Sequence, residues 1–346
     1  MSWQQRIDEA VKKRLNANEP IWTLISSIKK DRSLREATKD RYLSELYNCL
    51  SDKDIHQSIV VDTIKYEVGM SFRSSLNHLR RIKDYMHQNG TEFFPADNNK
   101  NQDRAFGKLL GMPVPKTYQS GVRLDQIRLL PKSFLKPLIG SSSMAVFYVD
   151  EGLALHSIKT GNKYGTLTEA GDEIQRFDKH ISGDHWLLEE AVMNGKDRSA
   201  NDFKVFSFYG EIGMFLEINR TSSETPRYAT YDASGRQIIR NPRELTFRGS
   251  GVPSALYEMS KKISLAAPIP FLRIDFHLGV DDLYLGEITP QPGGMHADRI
   301  YEELDRALGR CFGGAEARLY LDLLRGKRFP EFQEAYIKGE TLCNLV

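Results

Sequence analysis

Hydrophobic and polar positions recur along this chain with two different periods, and the change falls near Pro95. Upstream, Ile7, Ala10, Val11 and Leu15 follow i, i+3, i+4 spacing, as do Leu43, Leu46, Tyr47 and Leu50, which predicts amphipathic helices. A third helix is predicted from Asp62 to Gln88, with Tyr66, Met70, Leu76, Leu79, Ile82 and Met86 facing inward and Asn89-Gly90 as its stop. No proline interrupts 21–94, so a helical unit over 1–94 is expected.

Past Pro95 the texture changes. A polar connector, Pro95 to Lys100, leads into a short helix near Asp103–Leu110, and Gly111-Met-Pro-Val-Pro115 breaks it. Strand-like runs follow at Phe134–Pro137, Ala145–Val149, Trp186–Ala191, Asp202–Phe208 and Ile212–Asn219, with a helix over Thr168–His180 among them. A helix is predicted over Pro253–Ala266, with Met259, Ile263 and Ala266 inward, and helices resume over Ala297–Gly326. Strands grouped with hairpins and then helices indicate an α+β class. The expected units are 1–94, a first α+β lobe over 95–192, a second over 193–310, and a helical tail over 311–346.

Composition narrows the class without choosing a function. The 346 residues are 40% hydrophobic and 27% charged, ordinary for a soluble globular protein, and no apolar run has the length of a membrane span. Net charge is +2, which gives no mandate for nucleic acid; residues 1–90 carry a mild basic excess that reads as a solvated helical face. Cys49, Cys311 and Cys343, odd in number and far apart, argue for reduced thiols and a cytoplasmic home.

The richest stretch is Phe271-Leu-Arg-Ile-Asp-Phe-His277, followed after the turn signal Gly279-Val-Asp-Asp282 by Leu283-Tyr-Leu-Gly-Glu-Ile288. Period two puts Arg273, Asp275 and His277 on one strand face. A turn centred near Asp281 sets Asp275 opposite Glu287 at roughly 5 Å. Two carboxylates that close repel unless positive charge lies between them, and oxygen ligands suit Mg²⁺, a partner of phosphates. The plainer alternative is a polar-faced hairpin in which Arg273 pairs with Asp275 or Glu287.

Three further segments share this logic. Lys136 ends a strand before Gly140-Ser141-Ser142-Ser143, a small-residue loop able to close over phosphates with backbone N–H groups. Leu187-Leu-Glu-Glu-Ala-Val192 is a strand whose backbone and acids can read adenine. On Asn201–Phe208, alternation puts Asp202 and Lys204 on one face, fit for ribose hydroxyls and phosphates, with Arg220 ending the next strand. Taken singly these are equally a turn, an edge strand and surface ion pairs.

As an ordered set, Leu135-Lys-Pro-Leu, Leu188-Glu-Glu-Ala, Asp202-Phe-Lys-Val-Phe and Arg273-Ile-Asp-Phe with Gly286-Glu-Ile-Thr-Pro resemble the ATP-grasp superfamily. The resemblance is closest to the branch named after a teichuronopeptide biosynthesis protein, and covers residues 98–310. It implies an ATP-grasp fold, two α+β lobes clasping a nucleotide. Lys136 and the loop Gly140, Ser141, Ser142 and Ser143 would take phosphates; Glu189, Glu190 and Val192 would hold adenine, and Asp202 the ribose. Lys204, Arg220 and Arg273 would lie near the phosphates or the activated carboxylate. Asp275 and Glu287 would ligate Mg²⁺, with Thr289 where many superfamily members place asparagine. The turn Pro292-Gly-Gly294 would offer N–H groups to substrate. His277 and His296 read as ordinary hydrogen-bonded histidines.

What this implies is ATP-dependent ligation of a carboxylate to an amine through an acyl phosphate. By the branch's name the setting is cell-surface polysaccharide assembly, with a uronic acid or other glycan carboxylate as acceptor. A small-molecule kinase and a non-catalytic nucleotide-binding scaffold remain the alternatives.

Overall fold

The computed structural model describes residues 2–50, 65, 70–90, 100–140, 143–181, 183–193, 201–219, 227–238, 247–280, 282–292 and 300–338, without the side chains of 11, 14, 15 and 180. Ser141, Ser142, Arg220, His296, the Gly293-Gly294 pair, Tyr66 and the turn residue Asp281 lie outside the described residues. Among the described residues, no helix is long and apolar enough to cross a membrane.

The chain divides into two compact units. The first comprises residues 1–75 and 300–310. It holds helices α1 (Trp3–Leu15), α2 (Glu19–Lys30) and α3 (Glu36–Tyr47). Pro20 sits in the first turn of α2, where its missing N–H leaves nothing unsatisfied. Ile25, Leu43, Tyr47 and Leu50 form this unit's core, with Trp22 packed edge-on against Tyr47 at 6.4 Å between ring centroids. The periodicity of α1 marks a helix but not a buried one: Trp3 and Ile7 are exposed. Met70, expected inward, is also exposed; Gly309 lies against its backbone so closely that a Cβ there would meet Met70 C at 2.7 Å.

The second unit comprises residues 76–299 and 311–346 and is built on two six-stranded antiparallel sheets. The first sheet runs β1-β6-β2-β3-β4-β5, from β1 (Thr117–Val122), β2 (Ser133–Pro137), β3 (Phe147–Val149), β4 (Leu155–Ser157), β5 (Lys163–Tyr164) and β6 (Trp186–Glu190). Its strands alternate strictly. Leu135, Phe147, Val149, Leu155, Trp186 and Leu188 are buried against Ala170 and Ile174 of the segment around helix α6 (Gly171–Arg176), while Phe134, Lys136, Tyr148 and His156 occupy the other, half-buried face. Behind this sheet, buried Glu173 accepts hydrogen bonds from Thr160, Tyr164, Asn162 and Ser157 and ties the β4–β5 turn to α6.

The second sheet runs β10-β9-β8-β7-β11-β12, from β7 (Asn201–Phe208), β8 (Glu211–Asn219), β9 (Arg227–Asp232), β10 (Gln237–Ile238), β11 (Leu272–Leu278) and β12 (Leu283–Thr289). Its central strands are buried on both faces, and β7 alternates Asp202, Lys204 and Phe206 on the front with Phe203, Val205 and Ser207 on the back. Helix α7 (Ser254–Leu265) covers the back, burying Leu256, Ser260, Ile263 and Ser264, with Tyr257 edge-on to Phe215 at 4.8 Å. Helix α5 (Lys100–Leu109) lies along β12, and Gly107 makes this close approach possible: a Cβ there would meet Leu285 Cδ2 at 2.6 Å. Between them, α4 (Phe72–Gln88) and α8 (Glu302–Leu324) complete the main helices.

A second buried acid anchors the back of this sheet. Glu217 accepts from Asn201 Nδ2 at 2.7 Å, Tyr231 Oη at 2.6 Å, and Ser250 N and Oγ at 2.9 and 2.7 Å. Only glycine fits beside it: a Cβ on Gly249 would stand 1.7 Å from Tyr231 Oη and 2.5 Å from Glu217 Oε2. Gly249→Ala should cost about 2 kcal/mol or more of stability through this overlap. Thermal unfolding checks it, and part of the loss should return in the double variant with Tyr231→Phe, which removes the clashing oxygen.

Candidate active site

Strand register assembles a polar patch on the front of the second sheet. Across β12, β11 and β7, Thr289 pairs with Arg273 and Arg273 with Phe206; Glu287 pairs with Asp275 and Asp275 with Lys204. A bulge between Asp275 and Phe276 then resets β12, so that Tyr284, His277 and Asp202 form the next row. The bulge brings Gly286 under the imidazole, where a Cβ would lie 2.7 Å from His277 Nε2. His277 Nδ1 in turn meets Asp202 Oδ1 at 2.8 Å.

Asp275 is the hub. Arg273 donates to its two oxygens at 2.7 and 3.0 Å, and Lys204 adds an ion pair to Oδ2. Burial alone would raise this carboxyl, but the Arg273 and Lys204 charges outweigh it and hold Asp275 below the usual carboxylate range. Glu287 is more open. Its Oε1 accepts from Thr289 at 3.2 Å and its Oε2 lies 3.9 Å from Arg273. Arg273 therefore spans both acids and supplies the positive charge that their proximity demands.

The first sheet and α5 bring a second cluster. Lys136 on β2 and Arg104 on α5 each pair with one oxygen of buried Glu189 on β6. Lys100, one helical turn before Arg104, donates to the carbonyls of Pro137, Leu138 and Gly140 at 3.2, 3.3 and 3.2 Å, where β2 passes into the glycine-serine loop. Burial, then the neighbouring Arg104 and Lys100 charges, push Lys136 well below an ordinary lysine, while Glu287 and Asp202 pull it back. The acids of one sheet thus act on the lysine of the other. Asp103, on the same face of α5, accepts from Ile288 N at 3.1 Å and Tyr336 Oη at 2.8 Å; burial and the Glu287 charge push it up to about 7.

The remaining expected residues are placed as follows. Glu189 turns its carboxylate to Lys136 and Arg104, whereas Glu190 accepts from Lys116 N at 3.2 Å and donates its own N–H to Lys116 O at 2.8 Å. Val192 is buried, with Cγ1 3.3 Å from the Cβ position of Gly279 at the β11–β12 turn. Gly140 bridges to Ile181, and Ser143 holds φ +58°, a left-handed conformation at the exit of the loop. Lys100, Asp103 and Arg104 were not among the sequence candidates; their i, i+3, i+4 spacing was the available signal.

A family model described as TupA-like ATPgrasp matches residues 117–313. The chain belongs to the TupA-like ATP-grasp family. The motifs on β2, β6, β7, β11 and β12 all fall inside the matched segment, whereas the α5 cations precede it. Among solved structures, this family member is similar to the ATP-grasp ligase PsnB in complex with a phosphomimetic precursor variant, Mg and ADP, at 11% identity and TM-score 0.39 over 71% of this chain and 68% of that one. It is also similar to D-alanine–D-alanine ligase from Bacillus anthracis (13%, TM-score 0.39, 70% of this chain and 77% of that one) and to L-amino acid ligase from Bacillus licheniformis (11%, TM-score 0.36, 62% and 48%). No curated protein matches the chain.

Among the described residues, no group of three or more His, Cys, Asp or Glu is arranged to hold a metal by itself. The groups that would hold a cation in this TupA-like site are Asp275, Glu287 and the Thr289 hydroxyl, all oxygen donors and all within reach of Arg273. That fits Mg²⁺, which binds through one or two carboxylates and completes its shell with phosphate oxygens and water.

The Asp103 environment gives a pH dependence. A carboxyl whose folded-state value lies above its unfolded one stabilises the fold below the unfolded value, and this contribution is lost as pH rises through about 7. Asparagine at 103 keeps an acceptor for Ile288 N–H and a donor for the Tyr336 oxygen but cannot ionise. Relative to Asp103→Asn, the wild-type chain should lose up to about 4 kcal/mol of unfolding free energy between about pH 4 and 7. Denaturant midpoints of both chains at the two pH values measure it, and parallel behaviour would mean that Asp103 ionises freely in the fold.

Proposed function

We propose that this protein is an ATP-dependent carboxylate–amine ligase that forms an amide through an acyl phosphate. The observation that supports it best is the nearness of two charge clusters, Asp275 and Glu287 with Arg273 and Lys204, and Glu189 with Lys136 and Arg104, close enough that the Glu287 charge bears on Lys136. Phosphoryl transfer requires little covalent help from side chains; positioning and charge stabilisation do most of the work, and this is a site rich in both.

In this reading residues 95–192 and 193–310 are two lobes around ATP, flanked by the helical regions 1–94 and 311–346. Lys136, with Arg104 beside it, takes the phosphates together with the glycine-serine loop; the strand end at Glu190 and Val192 reads adenine, while the Glu189 carboxylate, expected to hold adenine, instead holds the two cations, and His277 orients Asp202 for the ribose. Asp275, Glu287 and Thr289 would hold Mg²⁺, which supplies charge neutralisation on the phosphate oxygens. The substrate carboxylate attacks the γ-phosphorus and ADP leaves. The amine then attacks the acyl carbon, phosphate leaves with the C–O bond, and the amine proton passes to solvent. Arg273 and Lys204, with Arg220, stabilise the charge that accumulates on the acyl phosphate and the tetrahedral oxygen. The acceptor is a uronic acid or other glycan carboxylate of a cell-surface polysaccharide, joined to an amino acid or other amine. We place the reaction in the cytoplasm, where ATP is available and widely spaced cysteines remain reduced.

Purified protein given ATP, Mg²⁺ and panels of uronic acids and amines should release ADP and phosphate together only when both substrates are present. A stable phosphorylated product made without amine would replace ligation by kinase chemistry. Glu287→Gln keeps the acceptor for Thr289 on a half-exposed side chain, so it should leave the melting temperature unchanged while lowering kcat at least about a hundredfold. Wild-type turnover in that variant would sink the metal assignment.

A further inference from the structure

Among the described residues β12, the strand that carries Glu287 and Thr289, is an edge strand: β11 pairs with one side of it and no strand pairs with the other. Outward-facing amides on such an edge need partners from elsewhere. Leu285 N donates to Pro113 O at 2.8 Å, and Ile288 N, between the two metal-ligand candidates, donates to Asp103 Oδ2 at 3.1 Å. The other oxygen of Asp103 accepts from Tyr336 Oη at 2.8 Å. Tyr336 sits in the π-helical turn Gln333–Lys338, is 4% exposed, and packs its ring against Phe106 and Phe332 at 5.4 and 4.8 Å between centroids; its carbonyl accepts from Gln102 Nε2 at 3.4 Å.

The Asp103 carboxylate is thus fixed from both ends, by a strand amide and by a phenol from the far C-terminal part of the chain. Without the phenol, one oxygen would face an aromatic wall with no donor. The side chain would then have reason to turn away from Ile288 toward solvent or toward Lys100 and Arg104, and β12 would lose its outer hydrogen bond between Glu287 and Thr289. Because Lys100 and Arg104 tie the same helix to β2 and Glu189, the shift would fall on the spacing between the acid pair and the phosphate cations.

We propose that Tyr336 is a positioning residue for the metal-binding strand, acting through Asp103, so that the C-terminal turn belongs to the catalytic apparatus as well as to the core. This rests on the ligase reading above. The phenol touches no reacting atom; its part is to keep Glu287 and Thr289 at the coordination distance that Mg²⁺ demands.

The test uses the full chain with Tyr336→Phe, which keeps the ring packing, and Asp103→Asn, which keeps both hydrogen bonds. Amide hydrogen exchange should quicken about tenfold at Ile288 in Tyr336→Phe while Leu285, held by Pro113, stays as in wild type. Mn²⁺·ATP affinity, followed by the electron paramagnetic signal of the free ion, should fall about tenfold, as for loss of an outer-shell partner, with metal-free ATP affinity unchanged. Asp103→Asn should retain both wild-type values. Equal quickening at Ile288 and Leu285, or no change at either, would overturn the inference, as would undiminished Mn²⁺·ATP affinity. Failure of the wild-type chain to bind Mn²⁺·ATP would instead overturn the ligase reading on which the inference stands.

Discussion

One shared carboxylate sets the geometry of the site. Glu189, buried in β6, divides its two oxygens between Lys136 of β2 and Arg104 of α5, and so fixes a strand cation and a helix cation at one point. Removing two charges of one sign from water without a counter-charge would cost several kcal/mol. With Glu189 between them the pair is tolerated, and α5 is held where it can also reach β12. The helix then does three things at neighbouring positions: Lys100 satisfies the open carbonyls after β2, Asp103 satisfies an open amide of β12, and Arg104 meets Glu189.

The second cluster follows the same rule with the same signs. Asp275 is held by Arg273 and Lys204, so each sheet carries one buried carboxylate between two cations. The Glu189 cluster sets two cations against one carboxylate, and Arg273 and Lys204 face Asp275 and Glu287, so the site as a whole holds positive charge in excess. Incoming phosphates and a divalent ion would exchange partners within it, with little new charge brought into a dry interior.

The legible parts of this architecture are those in which local pattern and tertiary role agree. The period-two runs of β7, β8, β11 and β12 marked their strands within a residue or two, and Asp275 does pair with Glu287 as expected, but through the bulge between Asp275 and Phe276 and not through the turn length alone. The strands β4 and β5 went unread because two or three residues carry no period, and the six-residue β1 and β9 went unread because Thr117-Tyr-Gln-Ser-Gly-Val122 and Arg227-Tyr-Ala-Thr-Tyr-Asp232 carry few aliphatic positions. The α5 triad was hidden for a different reason: a polar helix face that meets solvent and one that meets another sheet have the same spacing, and Lys100 looked like the end of a connector. Glu173 and Glu217 are buried for their partners' sake, and those partners, such as Thr160 and Ser250, become neighbours only after folding. In α1 the error runs the other way, with apolar Trp3 and Ile7 left in water.

The coverage of β12 by α5 has a bearing on solution behaviour. An open, flat edge strand is a template on which a second molecule can extend the sheet. Here one margin of the second sheet has its outward amides at Leu285 and Ile288 already engaged. The amides of β12 at Leu285 and Ile288 are thereby withdrawn from intermolecular strand addition.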